Sequence, residues 1–310
     1  MTVDVPGADP DEDGFRYDEF GHFHENCAEY DLPWDRPPEV ERVEHVLADG
    51  RRMSGLRWGD GPPRAVLLHG GAQNAHTWDT VALALRPVPL LAVDLPGHGR
   101  SDWRGDRAYD PVSNAADVAA VVEALAPDAD VLVGMSLGGL TAVGVVHARP
   151  ELVRRLVLVD ITPGVTRDKA SEVHAFIEGP QSFASFGEIF ARTLEFNPTR
   201  TPESLRRGIL HNAHRTDDGT WEWNYDRRPL AGDPQAMGPE RLWDAIGAAT
   251  APLLLVRGGV SPVVDDEDVA ELRRRRPDAR VVVVDGAGHS VQGDRPLELA
   301  DLLTAELEPS

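Results

Sequence analysis

An α/β fold with a doubly wound, mostly parallel sheet is what this sequence predicts, on two observations. Short apolar runs alternate with segments of helical character along most of the chain, the pattern of strands covered by helices on both faces. The longest uncharged stretch, Val131 to Ala148, begins β-branched and ends in residues that suit a helix. Gly134, Gly138, Gly139 and Gly144 interrupt it, so it reads as a strand turning into a helix and not as a membrane span. With 310 residues, 41% of them hydrophobic, the chain can build one large core or two modest ones, which excludes a disordered chain.

The elements follow in order. Residues 1–38 are rich in Asp, Glu, Pro and Gly, show no sustained period, and are expected to form an acidic tail, in part packed. From Glu41 the pattern becomes regular, with a two-stranded hairpin turning at Asp49-Gly50 and a short apolar strand in RAVLLHG. A helix at His76 to Leu85, a strand at Leu90 to Val93, a helix at Val112 to Leu125 and a strand at Val131 to Val133 come next. A helix from Leu137 and a strand at Leu156 to Val159 complete this run, so residues 39–161 form the first part of a core. The rhythm then breaks. Residues 162–248 hold helix-like segments at Ser171 to Ile177, Phe183 to Leu194 and Pro202 to His211 with no convincing buried strand, and are expected to be an inserted helical lid. Residues 249–310 resume the alternation: PLLLVRG, a helix at Glu267 to Arg275, the strand Val281 to Val284 and a closing helix at Pro296 to Leu307.

Charge and cysteine content narrow the function classes. The formal charge of −21, from 52 acidic and 31 basic residues, repels phosphate backbones and anionic lipid headgroups, so neither nucleic acid nor membrane is an expected partner. The single cysteine, Cys27, cannot close an intramolecular disulfide, and the first residues lack the basic patch and apolar run of a secretion signal. A cytoplasmic location is the expectation. His22, His24 and Cys27 lack the fourth ligand and second ligand pair of a structural zinc. No P-loop or dinucleotide-type glycine pattern calls for a cofactor.

The strongest chemical signal is Gly134-Met135-Ser136-Leu137-Gly138-Gly139 between an apolar strand and a helix. A serine on so sharp a turn sits in a strained backbone conformation, and the residues two before and two after it must be small. Gly134 and Gly138 satisfy that requirement. The turn raises the Ser136 hydroxyl above the sheet and aims the first N–H groups of the following helix at a developing oxyanion.

In these motifs the sequence resembles the α/β-hydrolase family, over roughly residues 40 to 308. His69-Gly70-Gly71-Ala72 is similar to the family's HG loop, and by that match the oxyanion donors are the backbone N–H groups of Gly71 and Leu137. Asp94-Leu95-Pro96-Gly97-His98-Gly99-Arg100-Ser101 is similar to the family's D-x-P-G-x-G-x-S turn, a shaping element, which makes His98 structural. Gly286-Ala287-Gly288-His289, between the last strand and the final helix, stands where the family carries its catalytic histidine. The acid departs from the common pattern, because the usual position, three residues after Gly258, holds Ser261. Asp160, at the end of LVLVD, is the location that a branch of the family uses; Asp265 and Asp266 are the fallbacks, and a helix cap or lid anchor is the blander role for Asp160.

The resemblance implies a serine hydrolase without metal or organic cofactor: Ser136 attacks a carbonyl, His289 moves the proton, an aspartate orients His289, and water releases the acyl group. The aromatic content of the expected lid (Phe176, Phe183, Phe186, Phe190, Phe196, Trp221, Trp223 and Tyr225) suits a largely apolar small molecule such as an ester, lactone or thioester. His174 and His214 are candidates to line the pocket. A carbon–carbon bond hydrolase with the same triad and a non-catalytic ligand receptor on the same fold are the alternatives. Oligomeric state is not legible.

Overall fold

The computed structural model describes residues 5–7, 9–12, 14–226 and 238–308. The remainder of the expected tail, residues 227–237 of the expected lid, and residues 309–310 lie outside the described residues.

Eight strands form one sheet in the order β1-β2-β4-β3-β5-β6-β10-β11. β1 (Val40–Val46) and β2 (Arg52–Trp58) are the antiparallel hairpin, turning at Gly50 with φ +88°, a left-handed conformation that glycine adopts without a Cβ clash. β2 also runs antiparallel to β4 (Leu90–Val93), and all other pairs are parallel. β3 (Ala65–Leu68), β4, β5 (Val131–Met135) and β6 (Leu156–Val159) are buried at every position, because helices cover both faces. β10 (Leu253–Gly258) and β11 (Arg280–Val284) close the far edge.

On one face α3 (Pro111–Leu125), α4 (Leu137–Ala148), α8 (Pro239–Ala248) and α9 (Asp266–Arg275) pack over Val66, Leu68, Leu158 and Leu255. On the other, α1 (Phe23–Glu29), α2 (Asp79–Ala84) and the closing helix α10 (Pro296–Leu307) pack over Leu67, Val133, Val157 and Val256. The register sets Leu68 opposite Gly134, Met135 opposite Val159 and Val159 opposite Val256. The chain therefore leaves β3, β5, β6 and β10 along a single edge of the sheet, where open α/β sheets bind their ligands.

Between β6 and α8 the chain forms α5 (Ser171–Ile177), β7 (Ser182–Phe183), α6 (Phe186–Phe196), α7 (Pro202–Asn212), β8 (Ala213–Arg215) and β9 (Trp221–Trp223). The three strands pair as a small antiparallel sheet that the sequence did not reveal, since two or three residues are too few to display a period of two. Phe183, Phe186, Phe190, Trp221, Trp223 and Tyr225 form the insertion's own core. α8 behaves differently. Its Leu242, Trp243, Ala245 and Ile246 join the core of the main sheet, so the part of 162–248 that packs separately ends before α8. Among the described residues no helix is long and apolar enough to cross a membrane.

The described part of residues 1–38 is packed in part, with residues 33–37 exposed. Phe23 and Cys27 enter the sheet core, the Phe23 ring lying 4.9 Å from that of Trp58. Asp11 accepts from the Trp221 indole N–H at 2.7 Å and from the Phe186 backbone N–H at 2.8 Å. The segment is held by scattered side chains and one short helix, which leave no periodic trace. Phe23 is 2% exposed, so Phe23→Ala should lower the unfolding free energy by about 3–5 kcal/mol. Chemical denaturation measures this; a loss below about 0.5 kcal/mol would mean that the segment contributes nothing to the core.

Candidate active site

Ser136 is the single residue between β5 and α4 and has φ 51° and ψ −119°, a conformation L-residues rarely adopt. The turn is possible because two glycines flank it. A Cβ on Gly134 would lie 2.4 Å from the Gly138 carbonyl oxygen, and one on Gly138 would lie 2.4 Å from the Leu68 carbonyl oxygen. Leu137 is the first residue of α4, so its N–H has no partner within the helix and forms part of the positive end of the helix dipole.

Gly71 follows β3 on the neighbouring loop. A Cβ on Gly70 would meet Met135 Sδ at 2.5 Å and Ser136 Cβ at 3.2 Å, which shows how closely this loop lies against the serine turn. Two buried histidines hold it there. His69 Nδ1–H donates to the Gly70 carbonyl at 2.7 Å, while its Nε2 accepts from the Leu95 N–H at 2.9 Å. His98 Nδ1–H donates to the Pro96 carbonyl at 3.0 Å, and its Nε2 accepts from the Ala72 N–H at 3.1 Å. Each ring thus spends one nitrogen as donor and one as acceptor, the pattern of a neutral imidazole. Burial pushes His69 from 6.5 down to about 3 and lowers His98 as well. Asp94, fully buried, fastens the same turn by accepting from the Ala75 N–H at 2.7 Å, the Arg100 N–H at 3.1 Å and Arg42 Nη1 at 2.7 Å.

His289 and Asp160 meet. The imidazole Nδ1 lies 2.8 Å from Asp160 Oδ2, with the carboxylate fully buried at the end of β6 and the ring 15% exposed. The same carboxylate accepts from the Gly258 N–H at 2.9 Å and from Ser261 Oγ at 2.5 Å. Asp294 holds the loop before the histidine, accepting from the Gly288 N–H at 2.8 Å. The fallback aspartates are elsewhere. Asp265 caps α9 through the Asp268 N–H at 3.0 Å and pairs with Lys169 at 2.8 Å, which holds its carboxyl down at about 2. Asp266 is exposed and pairs with Arg257 at 2.5 Å.

Ser136, His289 and Gly71 line one cavity of about 350 Å³, closed on its other side by Val173, Phe176, Ile177 and Phe196 of the insertion. Of the aromatics singled out in the sequence, Phe176 and Phe196 reach this cavity. His174 and His214 do not line it; His214 is exposed and bonds Asn224 at 2.7 Å. Lys169 and Thr199, which also line it, carried no motif in the sequence.

Fold and site together define a hydrolase-type α/β protein, and the chain belongs to the α/β hydrolase family, whose model matches residues 65–302. Among individual proteins it is similar to esterase Rv0045c of Mycobacterium tuberculosis, 44% identical over 299 residues that cover 94% of this chain and 96% of that one. A solved structure of that esterase, reported together with its inhibition by transition metals, covers 96% of this chain and 100% of its own with a TM-score of 0.83. The chain is also 29% identical to a 3-hydroxybutyrate-oligomer hydrolase of Cupriavidus necator, over 85% of this chain and 96% of that one.

The two neutral histidines make stability pH-dependent with a definite sign. Their folded-state values are depressed, so below about 6.5 the unfolded chain takes up protons that the folded chain refuses. The contribution of His69 is complete above 6.5 and lost as pH falls toward 3, and that of His98 is lost in the same direction. The thermal midpoint should therefore fall as the pH is lowered from 6.5, and less steeply in His98→Gln; an equal slope in the variant would remove His98 from the account.

Proposed function

We propose that the protein is a serine esterase in which Ser136 is the nucleophile, His289 the general base and acid, Asp160 the orienting carboxylate, and the Gly71 and Leu137 N–H groups the oxyanion hole. The observation that carries the reading is the hydrogen bond from His289, which lines the cavity that holds Ser136, to the buried Asp160 carboxylate. Asp160 fixes the tautomer in which Nε2 has its lone pair free, and it stabilises the imidazolium formed as the Ser136 proton transfers. The Ser136 oxygen bonds to the ester carbonyl carbon, and the resulting oxyanion is met by the two N–H groups. His289 returns the proton to the leaving alkoxide. Water, deprotonated by the same ring, then releases the acid and restores the serine.

The substrate class follows from the walls. Ala72, Met135, Val173, Phe176, Ile177 and Phe196 offer apolar surface to an acyl chain of small to medium size, and we assign the insertion the part of a lid over it. The mycobacterial relative, named as an esterase, supports the ester reading. A cytoplasmic location remains part of the proposal.

A panel of p-nitrophenyl esters of increasing acyl length tests activity and pocket size together. The native chain should hydrolyse the shorter members, and Ser136→Ala should lose about four orders of magnitude or more in turnover while keeping its fold. Retention of half the activity by that variant would overturn the reading, and so would a folded native chain inert toward the whole panel, the result expected of a receptor.

A further inference from the structure

Away from Ser136, three residues that the proposed mechanism does not use converge under the insertion. His76 lies in the 3-10 turn of residues 75–78, Asp79 begins α2, and His211 comes from the last turn of α7, more than a hundred residues later. All three are buried, and each offers a ligand atom within 4.8 Å of the other two. His76 Nδ1 is 2.9 Å and His211 Nε2 3.7 Å from Asp79 Oδ2. A tetrahedral ion with bonds of about 2.0–2.1 Å sets its ligand atoms about 3.3 Å apart, a value that these two separations bracket.

The outer nitrogens support the same arrangement. His76 Nε2 is 3.2 Å from Glu19 Oε1, and His211 Nδ1 is 2.6 Å from the Tyr17 hydroxyl. Metal-binding histidines ordinarily commit their second nitrogen to such a partner, which turns the first nitrogen's lone pair toward the ion. Glu19 is fixed in turn by Arg42 at 2.5 Å and Arg100 at 3.2 Å. Asp79 Oδ1 is buried with no hydrogen-bond partner, an arrangement costly for a carboxylate oxygen and resolved by a cation. The rings are stacked, centroids 3.8 Å apart and planes 8° from parallel, so one ring must turn about χ2 before both lone pairs meet one ion. Both rings and Asp79 line a common cavity, with Asn26, Asn74 and Thr80, that can supply water as the fourth ligand.

We propose that His76, Asp79 and His211 form a binding site for one divalent transition-metal ion, which clips α7 of the insertion to the core. Two imidazoles and a carboxylate suit zinc, nickel or cobalt rather than magnesium or calcium. The site also adjoins the loop that carries Gly71, because Asn74 Nδ2 donates to the His211 carbonyl at 2.9 Å and Asn212 Nδ2 donates to the Ala72 carbonyl at 2.7 Å. An ion here therefore tightens the contact between the insertion and that loop.

The test is calorimetric titration of chelator-treated full-length protein with Zn²⁺, paired with the visible spectrum of the Co²⁺ form and thermal melting with and without Zn²⁺. It uses no substrate, so its outcome is separate from that of the esterase reading. One ion should bind and raise the melting midpoint. His211→Ala should bind at least about tenfold more weakly and lose the midpoint rise, and Glu19→Gln, which leaves all three ligands in place, should weaken binding by about 10–100-fold. His289→Ala should bind as the native chain does. Should His211→Ala misfold, the Glu19→Gln comparison still decides. Absence of binding by the native chain, native affinity in Glu19→Gln, or loss of binding in His289→Ala with retention in His211→Ala would each overturn the proposal.

Discussion

A carboxylate removed from water must be held by donors, and the site rests on how this is met for Asp160. Its side chain has no exposure and accepts three hydrogen bonds: from the Gly258 N–H, from Ser261 Oγ and from His289. The first two come from β10 and the turn after it, the third from the loop after β11. One charge thus ties together the ends of three adjacent strands, and the imidazole is positioned as a consequence. Charge-assisted bonds of this kind are shorter and stronger than neutral ones, and a buried carboxylate left with fewer donors pays a large desolvation cost. Ser261 stands where the family resemblance led to an expected carboxylate, and here it donates to Asp160 instead. A second carboxylate at that position would face Asp160 across a distance at which like charges repel strongly.

The opposite half of the site is held by two neutral imidazoles and one buried ion pair. His69 and His98 use both ring nitrogens on backbone partners, and Asp94 gathers two backbone N–H groups and Arg42. These contacts fix the loop from His69 to Ala72 before any ligand arrives, so the Gly71 N–H is preorganised for the role proposed for it. The serine turn needs a further constraint, the absence of side chains at Gly134 and Gly138, since the helix start and the β3 carbonyls occupy that space.

Most of the sheet was legible because parallel strands covered on both faces are continuous apolar runs, and Leu90–Val93 and Leu156–Val159 have the expected limits. The serine turn was legible because its glycines are imposed by backbone geometry. What escaped is held by contacts distant in sequence. Partial packing of the N-terminal segment was expected, but not the residues that carry it, Phe23, Cys27 and Asp11, which share no period. The strands of the insertion are too short to show alternation. α8 was not among the helices read from the sequence; its apolar residues join the core of the main sheet. Among the candidate acids, the family resemblance favoured Asp160 and kept Asp265 and Asp266 as fallbacks, and the three-dimensional arrangement sets Asp160 beside His289 while Asp265 serves as a helix cap.

The central claim is that Asp160, through His289, activates Ser136, and its most direct measurement is covalent. A fluorophosphonate labels a serine oxygen only where the hydroxyl is activated, and peptide mass spectrometry locates the adduct. The account predicts a single adduct on Ser136 in the native chain, formed orders of magnitude more slowly in Asp160→Asn, where the orienting carboxylate is replaced by an amide that favours the wrong tautomer. An adduct on another residue, or labelling of Ser136 at an unchanged rate in Asp160→Asn, would contradict it.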